Sequence, residues 1–331
     1  MRVVALEEHF TVPAMLGRIS KEAIAKRGIL ASDKIPPAIA RGTLLQDLGP
    51  ARIADMDMSG ISVQILSAVG AGAELLPPDE GPRYARDLND YLAHAVAEHP
   101  NRYAGFTHMP MTNPSAAADE LERMVTLHGF CGGIVHGTTG GLFLDDPCFL
   151  HLLERFEALD VPLYLHPGIP PEAVRSAYYE RLPLDTGYLL STAGWGWHSE
   201  TAIHVLRLIL TGTLDRHPKL KLIIGHMGEG LPAMLARCDQ VFADVIHNRL
   251  TRSVSQTLTD QVWVTTSGLF TLAPFIPLLL TFGVDRVLFS VDYPFSPNER
   301  GKKFLDSLPL SPSDKSKIAH GNADKLLKLK F

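Results

Sequence analysis

The pattern that most restricts this sequence is an alternation of short β-branched runs with amphipathic helical stretches, which a chain satisfies by winding parallel strands around a shared core. Eight strands are predicted, at residues 3–6, 63–68, 103–108, 133–136, 163–166, 220–224, 262–266 and 287–291. Helical patterns lie between them at 85–98, 115–128, 147–159, 199–211 and 231–246, the fourth opening on Ser199 and Glu200 and stopping near Gly212. Eight βα units in series give a (β/α)8 TIM barrel, and 331 residues suit one such domain, 1–331, with insertions. Two segments exceed the repeating units, 11–49 after the first strand and 168–198 after the fifth. Both leave C-terminal strand ends, where barrels carry substrate-covering loops, so they are expected to be lids or subunit contacts.

Composition removes several other functions. A net charge of -5 without a dense Lys/Arg stripe gives no field for a phosphate backbone, so nucleic acid is not an expected partner. Cys131, Cys148 and Cys238 form no CxxC pair and are expected to be reduced thiols of a cytoplasmic protein. The apolar run 269–282 is broken by Pro274 and Pro277 and is too short to span a bilayer, so no membrane association is expected.

The chemistry-bearing residues collect at strand ends. The first strand leads to Glu7 and His9, the fifth ends on His166, and the sixth and eighth are followed by His226 and Asp292. Alternate side chains of a strand share a face, so Glu7 and His9 are expected to point at one centre. Imidazole nitrogen with carboxylate oxygen suits one divalent ion, zinc or manganese, with a position left open for substrate. One histidine at a strand end is ordinarily a hydrogen-bonded structural residue; such residues on four strands at the catalytic face read better as a site. Glu229, three residues after His226 in GHMGEG, can orient that imidazole or add a ligand, although the glycines there also serve turn geometry.

The motifs LEEHF at 6–10, YLHP at 164–167, ETAIHVLRLILTG at 200–212, GHMGEGLP at 225–232, TTSG at 265–268, FSVDYPF at 289–295 and GNADKLLKL at 321–329 resemble those of the amidohydrolase-superfamily decarboxylases. The resemblance covers nearly the whole chain and is to the γ-resorcylate (2,6-dihydroxybenzoate) and 2,3-dihydroxybenzoate decarboxylases in particular. It implies a barrel, one divalent metal, a small aromatic carboxylate as substrate and its non-oxidative decarboxylation, in a homodimer or homotetramer. By motif position it implies Glu7, His9, His166 and Asp292 as ligands, with Asp292, His226 and Glu229 in catalysis. Hydrolytic members of the superfamily open with His-x-His and often carry a lysine at strand four; Glu7 and the absence of that lysine disfavour a two-metal hydrolase. The chain departs from the dihydroxybenzoate enzymes at His108 and His136, where an apolar and an asparagine-like residue are expected. These imidazoles either contact a different ring substituent or are structural.

Such a reaction protonates the ring carbon bearing the carboxylate, and Asp292 is the leading donor. Arg237 is either a clamp for the substrate carboxylate or a surface ion-pair residue. Phe10, Trp195, Trp197, Tyr293 and Phe295 are candidates for an aromatic wall or for plain core, and Ser267 for a substrate contact or a helix cap. Two alternatives stand beside the decarboxylase: a metal-dependent hydrolase of a lactone, ester or amide using a metal-activated water, and a barrel that only binds ligands.

Overall fold

The computed structural model describes residues 1–30, 34–36, 40–70, 72–183 and 185–330; positions 31–33, 37–39 and 184 of the two predicted inserts lie outside the described residues. The strands are β1 Val4–Phe10, β2 Val63–Ala68, β3 Tyr103–Gly105, β4 Thr107–His108, β5 Gly133–His136, β6 Leu163–His166, β7 Leu222–Ile224, β8 Val262–Thr265 and β9 Val287–Leu288. All pairings are parallel, in the orders β1-β2-β3 and β4-β5-β6-β7-β8-β9. The predicted third strand is interrupted at Phe106, whose N–H donates to Leu66 O while the next N–H, of Thr107, crosses to Gly132 O. At the other seam Leu6 pairs in parallel with Ser290, and its N–H donates to Phe289 O at 3.2 Å. The (β/α)8 order read from the sequence is therefore present.

Strands in such a ring are covered on both faces, which is why they read as continuous β-branched runs. One apolar cluster, with Val4, Leu6, Val63, Ile65, Phe106, Ile134, Tyr164, Ile223 and Leu288, also contains Leu326 and Leu327, so the C-terminal helix Asn322–Leu327 packs against it. A larger cluster packs strands against the outer helices.

Several boundaries differ from expectation: the strand predicted at 220–224 starts at Leu222, that at 287–291 ends at Leu288, and the helix predicted from 85 starts at Gly81. β1 runs on to Phe10, because Glu8, His9 and Phe10 still pair with Leu66, Ser67 and Ala68 of β2. The helix Gly196–Leu210 starts three residues before Ser199, with Trp195 at its N-cap, and the Ser199 hydroxyl donates to Gly196 O instead of capping. The predicted helix 231–246 is broken into Leu231–Ala233, Leu235–Val241 and Ala243–Arg249. The two inserts meet: Arg175 donates to Lys26 O at 3.2 Å and Arg27 donates to Ile169 O. Arg41 of the first insert donates to Pro294 O (2.7 Å) and Phe295 O (2.9 Å), which ties that insert to the loop carrying Asp292.

Candidate metal centre and active site

The geometry of the site begins with an irregularity in β1. Its register against β2 steps from Ala5↔Gln64 to Glu8↔Leu66, so one extra residue is accommodated and Glu7 takes φ +60°. A β-bulge of this kind re-aims a side chain. The Glu7 carboxylate is fully buried and faces inward, where Tyr164 and Ser267 donate to Oε2 and Thr265 approaches the same oxygen at 3.4 Å. Ser267, expected to contact substrate or cap a helix, instead fixes Glu7.

Glu7, His9 and His166 offer one donor atom each, all within 4.8 Å of one another. His166 Nδ1 lies 2.8 Å from Pro167 O, an acceptor, so the proton sits on Nδ1 and the Nε2 lone pair is left for the site. That Nε2 is 3.2 Å from Glu7 Oε1. His9 is oriented by Ser67, 3.1 Å from its Nδ1, and its Nε2 is 3.3 Å from Asp292 Oδ1. Asp292 stands beside this triad on its open side: its side chain is 17% exposed where those of Glu7 and His9 are 0%.

A second trio joins His226 and Glu229, which follow β7, to His198 of the helix Gly196–Leu210. His226, Met227 and Glu229 all have positive φ, as Asp292 does, and left-handed backbone at side-chain-bearing residues concentrates where a site demands it. Glu229 bridges two imidazoles, His226 Nδ1 at 2.8 Å and His198 Nδ1 at 2.5 Å. His226 Nε2 turns toward the first group, 3.7 Å from Glu7 Oε1 and 4.0 Å from Asp292 Oδ2. Burial disfavours its charge, but the Glu229 carboxylate, then those of Glu7 and Asp292, outweigh it and raise the imidazole to about 10. Burial likewise pushes Glu229 and Glu7 up, yet the surrounding imidazoles, His226 foremost, hold both below the usual carboxylate range.

His108 and His136 line the neighbouring strand ends. The His136 ring centroid is 4.7 Å from that of His166, and its Nε2 is buried without a hydrogen-bond partner among the described residues. Burial, reinforced by His166 and His108, holds it well below the usual imidazole range. His108 Nε2 accepts from Ala73 N–H at 3.0 Å, and its buried Nδ1 has no hydrogen-bond partner among the described residues. Its backbone N–H and C=O are both gripped by Asn89 of the helix Gly81–Glu98.

Of the expected wall residues, Phe295 lies edge-on to His9 with centroids 5.8 Å apart. Phe10 is buried and stacks on Tyr91, and Tyr293 packs its ring under the Arg52 guanidinium at 4.8 Å. Trp195 is 58% exposed, and Arg237 is exposed with its Nη1 on Gln240, turned to the surface instead of the ligand group. Residues not singled out from the sequence also enter the site: Tyr164 and Thr265 around Glu7, Ser67 behind His9, and His198 on Glu229. Tyr164 and Thr265 stood inside the motifs YLHP and TTSG, and His198 directly precedes the Ser199–Glu200 pair.

The family model described as Amidohydrolase matches residues 43–329. The chain belongs to the amidohydrolase family. Within it the chain is 37% identical over 340 residues to the gamma-resorcylate decarboxylase of Rhodococcus jostii, covering 98% of each. Among solved structures it resembles a dihydroxybenzoic acid decarboxylase from Polaromonas sp. JS666 with bound manganese and the inhibitor 2-nitroresorcinol, at 33% identity and TM-score 0.86, covering 99% of this chain and 97% of that one. It also resembles 5-carboxyvanillate decarboxylase from Sphingomonas paucimobilis, at 29% identity and TM-score 0.91, covering 99% of each. The family resemblance read from the motifs is borne out.

Proposed function

We propose that this chain is a metal-dependent, non-oxidative decarboxylase of an ortho-hydroxylated aromatic carboxylic acid. The observation that carries the reading is the buried group Glu7, His9 and His166 with Asp292 at its open side, in a chain whose relatives are decarboxylases of γ-resorcylate, dihydroxybenzoic acid and 5-carboxyvanillate. Those relatives favour decarboxylation over hydrolysis of a lactone, ester or amide.

The residues fit a divalent cation. Glu7 Oε1 and His9 Nε2 are buried polar atoms without hydrogen-bond partners among the described residues, and a group that costs free energy to leave unpaired is expected to have one. Glu7, His9, His166 and Asp292 would hold the ion; manganese is the metal of the Polaromonas neighbour, and zinc suits the same donors. Once bound, the ion supplies Lewis-acid polarisation of the substrate carboxylate and adjacent phenolic oxygen.

The chain's own groups do the rest. Asp292, the accessible carboxyl, delivers a proton to the ring carbon bearing the carboxylate. The C–C bond then breaks, its electron pair returns to the ring, aromaticity is restored and carbon dioxide leaves. His226, held at Nδ1 by Glu229, turns Nε2 to within 4.0 Å of Asp292 Oδ2 and passes on the proton that replaces the one spent. Phe295 walls the ring, and the unpartnered nitrogens of His136 and His108 select the ring's polar substituent. Exposed Leu272, Ile276 and Leu280 on the helix Leu272–Phe282 support assembly as a homodimer or homotetramer. No helix among the described residues is long and apolar enough to cross a membrane. A panel of hydroxybenzoates assayed with Mn2+ tests the reading: carbon dioxide release from an ortho-hydroxylated member is expected, and lactone opening without any decarboxylation would overturn it.

A further inference from the structure

The residue between the two β1 ligands, Glu8, was not singled out from the sequence, because strict alternation turns it away from the centre holding Glu7 and His9. It is fully buried. Its carboxylate reaches across the seam between β1 and the segment after β9, where Oε1 accepts from Val291 N–H at 2.9 Å and Oε2 accepts from Tyr293 N–H at 3.1 Å. These amides flank Asp292, whose φ of +68° leaves the ordinary strand path. Just past the flank, His9 N–H donates to Tyr293 O at 2.7 Å; just before it, Ser290 Oγ donates to Leu6 O. The side chain of Glu8 thus supplies the two acceptors that a regular ladder would have offered at the one place where Asp292 interrupts it. Behind it, the buried guanidinium of Arg52 donates to His9 O at 2.7 Å and to Gln64 Oε1 at 2.7 Å, and covers the Tyr293 ring.

We propose that Glu8 is a positioning residue: a two-pronged acceptor that holds the backbone of Asp292 and thereby fixes that carboxyl relative to His9 and the substrate ring. The proposal rests on the decarboxylase reading and deepens it. In this geometry each oxygen accepts from one amide. Glutamine matches the shape but presents an –NH2 to one of two N–H groups; aspartate keeps two acceptors on a shorter arm.

The test compares Glu8→Gln, Glu8→Asp and Asp292→Asn in the full-length protein loaded with Mn2+, with 2,6-dihydroxybenzoate as the probe substrate and rates expressed per bound manganese. Resorcinol incubated in D2O reports ring-proton exchange as a second readout of Asp292. Loss of an outer partner of a metal site costs about 10- to 100-fold in activity. Glu8→Gln is expected to lower kcat and exchange by that factor with KM within about threefold, and Glu8→Asp to retain more of both than Glu8→Gln. A Glu8→Gln enzyme as active per manganese as the parent, or more active than Glu8→Asp, would overturn the proposal. Should Glu8→Gln not fold, Glu8→Asp alone decides: a reduced kcat with unchanged KM supports the clamp, and parental kcat and exchange remove it. An Asp292→Asn enzyme with full turnover would instead remove Asp292 from the chemistry, a failure of the reaction reading seen with Glu8 intact.

Discussion

Replacing Glu229 by Gln removes one buried charge while nearly keeping its shape, and the consequence can be sized. The His226 imidazole stands at about 10 against an ordinary 6.5, and the difference corresponds to roughly 5 kcal/mol in favour of the cation. Glu229 leads the groups that raise it, ahead of Glu7 and Asp292. Its charge-assisted hydrogen bond to His226, at 2.8 Å, contributes about 1.5–3 kcal/mol. If His226 replaces the proton spent by Asp292, kcat on 2,6-dihydroxybenzoate falls by roughly 10- to 150-fold, while bound manganese, held by other residues, stays stoichiometric. Absorbance of the aromatic acid gives the rate and inductively coupled plasma mass spectrometry gives the metal. A Glu229→Gln enzyme with parental kcat would refute the coupling between the two trios. One that lost its metal in parallel with activity would place Glu229 among the ligands instead.

Other consequences are as specific. Glu7→Gln keeps an acceptor for Tyr164 and Ser267 but lacks the ligand charge, and is expected to bind manganese at least tenfold more weakly in an equilibrium titration. His136→Ala and His108→Ala are expected to leave the metal in place and change the order of preference across a substituted hydroxybenzoate panel; an unchanged order would mark both as structural. His204 Nε2 accepts from Leu144 N–H at 2.8 Å, and burial pushes its pKa down to about 3. The unfolded chain therefore binds a proton that the folded one refuses between about 6.5 and 3, so stability is full above that window and falls as pH drops through it. The loss is about 2 kcal/mol from pH 6.5 to 5. Urea unfolding at the two pH values should show a loss smaller by that amount in His204→Gln than in the parent. A Cβ at Gly132, whose φ is +151°, would meet Pro162 O at 2.2 Å, so Gly132→Ala is expected to lower stability by on the order of 3 kcal/mol in the same assay.

Much of this was legible because period and strand ends are local properties. The run VPLYLHP marks β6 and ends on His166, and VQILSA marks β2 from its first to its last residue. What was missed depends on direction in space. Glu7 and His9 do share a centre, but through an extra residue at Glu7 that the two-residue period does not encode, and the period itself hid Glu8. Phe10 and Tyr293 flank site residues in sequence and for that reason turn the other way, into the core. Arg237 rides a short helix whose exposed face carries it outward, since the predicted helix 231–246 breaks near Met234 and Phe242. His198 was invisible because its partner Glu229 lies thirty-one residues away and only the docking of the second insert joins them.

The most direct test of the central claim is anomalous diffraction from crystals grown with Mn2+. The structure predicts one strong manganese peak within coordination distance of His9 Nε2, His166 Nε2 and carboxylate oxygens of Glu7 and Asp292. A peak between His198, His226 and Glu229 instead, or no ordered manganese near either trio, would contradict the account.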